Sequence, residues 1–112
     1  MRPPRLRLRV RTLLLAVGVV ALILGGVILV RRSADYRRLA AFHEQMERRK
    51  AQAVLGIENL ARAATDPENI VRIRADAAYE ARIGRHHAAM KAKYLRAASR
   101  PWESVPPDPP PP

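Results

Sequence analysis

The side chains best suited to chemistry are three histidines, His43, His86 and His87, together with the carboxylates and the hydroxyls of Ser33, Ser99 and Ser104. Paired imidazoles suit a divalent transition metal. A metal centre also needs a third ligand and outer groups that orient the rings, and neither is evident, so we read the histidines as polar punctuation of a helix face. No phosphate-cradling glycine loop occurs, and no His-Glu-x-x-His. The three serines flank helix ends without a plausible base. We therefore assign no catalytic residue, no cofactor, no metal and no small-molecule substrate, and expect a protein that is not an enzyme.

What must position these residues is set first by an uncharged run of 19 residues, Thr12 to Val30, bounded by Arg9 and Arg11 before it and Arg31 and Arg32 after it. At ~1.5 Å per residue it covers roughly 28 Å, near the ~30 Å hydrocarbon thickness of a bilayer. Thirteen of its residues are Leu, Ile or Val, each favourable at mid-bilayer by about 0.3 to 0.6 kcal/mol. A secretory leader would have a shorter apolar core and a small-residue cleavage site. Val30, Arg31, Arg32, Ser33, Ala34, Asp35 contains none, so the run reads as an uncleaved single-pass anchor.

The chain has 112 residues and no cysteine, which removes disulfides and thiolate metal sites. Outside the leader and span, about 80 residues are left, marginal for an independent core. The net charge of +11 includes 18 arginines against three lysines, an imbalance we attribute to codon composition. Five arginines precede the span and four follow it closely, so the positive-inside bias is weak. A five-arginine arm is nevertheless hard to translocate. We expect an inner (cytoplasmic) membrane protein with residues 1–11 as a basic cytoplasmic arm and the larger part outside.

Beyond the span, residues 34–64 hold no proline, and Leu39, Phe42, Met46, Ala53, Ile57 and Leu60 recur at three- and four-residue steps. Asp66 is a good N-cap and Pro67 suits the first helical position, so a second helix over 67–99 follows a turn near 65–67. Its apolar marks include Ile70, Ile73, Tyr79, Ile83, Met90 and Tyr94, and Pro101 ends it. Two such helices fold back as an antiparallel hairpin. Facing residues whose numbers sum to about 133 put Leu60 near Ile73, Val54 near Tyr79, Met46 near His87, Phe42 near Met90 and Leu39 near Tyr94. Ile83 meets Lys50 in a loose layer. The packing is of coiled-coil type, although neither helix sustains apolar residues at heptad positions. A weak echo links Phe42, His43 and Met46 to His86, His87 and Met90, 44 residues on.

The returning helix brings Lys91, Lys93, Arg96 and Arg100 toward lipid head groups, with Trp102 at the depth that indole favours. The tail from Pro101 carries seven prolines, which forbid helix and leave polyproline II or disorder. The fold expected is all-α: one transmembrane helix continuing into a long antiparallel hairpin over 31–100, with a disordered Pro-rich C-terminal tail.

The arginine-rich start running into Arg11 to Leu15, the segment with Tyr36 and His43, and the ending Lys93, Tyr94, Leu95, Arg96, Ala97, Ala98, then Arg100, Pro101, Trp102, Val105 and Pro107, Asp108, Pro109 resemble a group of short single-span membrane proteins of planctomycete bacteria. The resemblance implies a bacterial, membrane-attached protein and supplies no activity. We expect an adaptor or structural protein with the lipid bilayer and another protein, or a second copy, as partners. One alternative is a basic surface module for anionic lipid, nucleic acid or polymer; another is an accessory subunit of a membrane enzyme. Nucleic acid is the weaker ligand, because acids are interspersed and the aromatics are few.

Overall fold

The computed structural model describes the backbone from Pro4 to Pro112 and side chains from Arg9 onward. Arg2, Arg5 and Arg7 of the N-terminal arm therefore lie outside the described side chains. Two helices make up the fold: α1, Pro4–Ala63, and α2, Pro67–Ser99. No strand occurs among the described residues. The molecule is a rod of 101 × 19 × 12 Å.

The apolar run and the first hairpin helix are one continuous helix, and the basic arm from Pro4 belongs to it. No proline interrupts residues 5–63, and Gly18, Gly25, Gly26 and Gly56 each cost only about 1 kcal/mol relative to alanine. Among the described residues one helix is long and apolar enough to cross a membrane, and its apolar stretch is not buried. Leu13, Leu22 and Val30 are 65%, 77% and 70% exposed.

The reversal uses three residues, 64–66. The side chain of Asp66 accepts from the Glu68 N–H at 3.2 Å, Pro67 opens α2, and Ile70 N–H donates to the Asp66 carbonyl at 3.0 Å. At the other end Arg100 N–H donates to the carbonyls of Arg96 and Ala97, and Glu103 N–H donates back to Arg100. Pro101 cannot continue the helix and is itself buried.

The two helices meet along a seam of three- and four-residue steps. On α1 it runs through Ser33, Tyr36, Ala40, His43, Glu47, Lys50, Val54, Ile57 and Ala61; on α2 through Ile70, Ile73, Ala77, Glu80, Gly84, His87, Lys91, Tyr94 and Ala98. None of these eighteen residues is exposed. This is the spacing of a coiled-coil seam sustained over four heptads, which the apolar residues alone did not reveal. Ser33 Oγ donates to the Ala98 carbonyl at 2.7 Å, Tyr36 stacks on Tyr94 and His43 meets His87, facing numbers that sum to 130 or 131, while Lys50 approaches Gly84, His43 stacks on Tyr94 and Glu47 pairs with Lys91, with sums of 134 to 138; the contacts lie on both sides of the expected 133.

The expected packing residues divide accordingly. Val54, Ile57, Ile70, Ile73 and Tyr94 lie in the seam. Leu39, Phe42, Met46, Leu60, Tyr79, Ile83 and Met90 each stand one residue before a seam position, ~100° round the helix. Leu39, Phe42, Leu60 and Tyr79 consequently remain 41%, 52%, 62% and 47% exposed, while Met46 and Ile83 are half-buried and Met90 is buried. Leu60 is the clearest departure from the expected seam. Ile83 is half-buried beside the Lys50 level, where a Cβ at the next residue, Gly84, would lie 3.5 Å from that of Lys50.

Candidate functional site

Polar side chains converge in the half of the seam nearer the apolar run, around residues 33–50 and 80–98. Its packed centre is Ala40, Met90 and Tyr94, with Tyr36 against it. The Tyr94 ring stacks on His43 at 5.6 Å between centroids and 7° between planes, and on Tyr36 at 6.0 Å and 24°. His43 and His87 then meet Nδ1 to Nδ1 at 2.8 Å, and His86 approaches His87 edge to face. The echoed segments of the sequence are thus the ones that face each other.

Such a contact requires one ring to donate Nδ1–H while the other presents a lone pair. Adding a first proton to the donor ring at Nε2 keeps the bond; a second must go to the accepting Nδ1 and break it. Both rings are less basic than a free histidine. For His43 burial is the main cause, followed by the facing charge of His87; Asp108 opposes the shift and His86 adds to it. For His87 the causes are burial, His86 and then Lys50.

Beyond the imidazoles the seam carries ion pairs. Lys50 Nζ lies 2.7 Å from Glu80 Oε2, and Lys91 Nζ 3.0 Å from Glu47 Oε2. Both Oε2 atoms are enclosed, and each has an ammonium against it. Removing one member of either pair would leave the other charge half-buried and unpaired.

The tail supplies the last group. Asp108 accepts from Tyr94 Oη at 2.8 and 2.7 Å and from Lys93 Nζ at 2.5 Å. These bonds hold its carboxyl below the usual carboxylate range, with the Lys93 bond leading. Burial and the Asp108 bond push the Tyr94 hydroxyl up to about 12. The tail is tied to α2 through Asp108. Sequence reasoning missed this latch. An acid flanked by prolines, opposite a Lys-Tyr pair, was the available signal.

Arg9, Arg11, Arg31, Arg32 and Trp102, expected at the membrane interface, are all exposed, and Arg32 Nε donates to Tyr36 Oη at 3.0 Å. No group of three or more His, Cys, Asp or Glu side chains converges on a metal position among the described residues. The cluster can share a proton between its imidazoles and tie the tail to α2. Comparisons with family models, curated proteins and solved structures return no match.

Proposed function

We propose that the protein is a membrane-anchored helical arm, an adaptor or structural component that holds a basic hairpin clear of the bilayer. The observation that carries this reading is the continuity of α1 from the apolar run into the hairpin. A flexible joint would leave the hairpin free to tumble, whereas an unbroken helix fixes its direction. From Arg31 to Ala63 the arm reaches roughly 50 Å from the last apolar residue. The five-arginine N-terminal arm favours a cytoplasmic amino terminus, with the hairpin on the outer side of a bacterial inner membrane.

A partner of the adaptor is another protein or a second copy. The hairpin buries only Ala40, Met90, Tyr94, Ala97 and Ala98 among its apolar residues and leaves Leu55, Leu60 and Val71 more than 60% exposed. Chemical crosslinking of the full chain in membranes tests this. One discrete partner at low stoichiometry supports an adaptor. A polyanion ligand lost steeply between ~50 and ~200 mM salt would replace it with the basic surface module. Orientation is read from a single cysteine, Ser104→Cys, with a membrane-impermeant reagent: labelling in cells with a permeabilised outer layer is the expected result.

A further inference from the structure

A cavity of about 420 Å³ lies between the last turns of α2 and the tail that folds back on it. Lys93, Arg96 and Arg100 line it on the helix side; Glu103, Ser104 and Val105 line it on the tail side. Two observations place it. The Ser33–Ala98 hydrogen bond fixes the register, so Arg100 stands level with Arg31 and Arg96 about four residues farther out. At the helical rise Arg96 is thus roughly 7 Å beyond Val30, within the polar layer of a bilayer whose hydrocarbon ends there. The tail wall is fixed as well, because Asp108 is tied to Tyr94 and Lys93.

The charges in the cavity are unequally used. Lys93 is neutralised by Asp108. Arg100 meets Glu103 at 3.5 Å, a loose and largely solvated pair. Arg96 has no ion-pair partner among the described residues. Beside them Trp102, the chain's one tryptophan, is 65% exposed. The Glu103 carboxylate also lines the cavity but offsets only one of its three cations, loosely; an open guanidinium, a second that can leave its solvated partner, a hydroxyl and an apolar floor suit a phosphodiester whose chains continue into hydrocarbon.

We propose that this cavity binds the head group of an anionic phospholipid, with Arg96 and Arg100 on the phosphate and Trp102 at the acyl boundary. The proposal rests on the membrane-anchored reading above. Its consequence is a second attachment of the hairpin to the bilayer, at the end of α2.

The test uses the full chain in nanodiscs of zwitterionic lipid with a minority of phosphatidylglycerol, and native mass spectrometry to count retained lipids. The chain is expected to retain phosphatidylglycerol in preference to the zwitterionic lipid. Arg96→Gln with Arg100→Gln should lower that preference roughly tenfold or more, while Arg72→Gln with Arg74→Gln, far from the bilayer, should not. Brominated lipid should quench Trp102 in the unsubstituted chain. No anionic preference, or equal loss in both double variants, would overturn the head-group site. Displacement of the lipid by millimolar inorganic phosphate would reassign the cavity to free phosphate. A chain recovered in the aqueous fraction without detergent would instead refute the membrane reading itself.

Discussion

His43 and His87 face each other Nδ1 to Nδ1 at 2.8 Å across the seam of a hairpin whose apolar residues mostly lie to one side of it. That contact ties protonation to pairing of the helices. Both rings are depressed below 6.5, by burial first and then by facing cations. The unfolded chain therefore binds protons that the hairpin refuses, and stability that is complete above pH ~6.5 declines as pH falls below it. Thermal unfolding of the full chain in detergent, followed by circular dichroism from about pH 7.5 to 5, should show this decline. His43→Leu with His87→Leu should flatten it.

The same contact shows why the seam was only partly legible. Helices, turn, cap and span follow from proline positions, the Asp66-Pro67 pair and an uncharged run, all local signals. The phase of the seam does not. Leu39, Phe42 and Leu60 define an apolar stripe that a helical wheel would bury, yet they are exposed, and Ala40, His43 and Ala61, one residue on, are the buried or half-buried ones. Small residues such as Ala40, Gly84 and Ala98 let the helices approach, and the opposite charges of Lys50 and Glu80 face each other; pairwise relations between distant residues are invisible to periodicity within one helix.

Truncations should separate seam from stripe. Ile57→Ala or Ile73→Ala should cost ~1 to 2 kcal/mol, less than a full core deletion because both sites are half-buried, whereas Leu60→Ala should stay within about 0.5 kcal/mol. Urea or thermal unfolding of each variant checks the order.

Gly84 offers a gain. A methyl group there meets Lys50 Cβ at 3.5 Å, an ordinary contact, and alanine removes the helical cost of glycine, so Gly84→Ala should stabilise the hairpin by up to about 1 kcal/mol. A loss of stability would show that the helices approach more closely than the register implies.

The Asp108 latch has a spectroscopic signature. With Asp108 in place the Tyr94 hydroxyl is pushed up to about 12, so hairpin stability that depends on its proton is lost only as pH rises from ~10 through that value. Asp108→Ala should return Tyr94 toward the ordinary tyrosine range, read as an earlier phenolate absorbance change, and should expose the tail to protease. Unchanged titration would remove the latch.

The central claim is that span and hairpin form one rigid arm standing off the bilayer. Spin labels at Leu22→Cys and Thr65→Cys, in this Cys-free chain embedded in nanodiscs, straddle the membrane boundary, and their separation is measured by electron–electron double resonance. An unbroken helix predicts one narrow distribution centred at roughly 65 Å. A broad distribution, or a mean well below ~50 Å, would mean that the helix is hinged near Arg31 and Arg32, and would contradict the account.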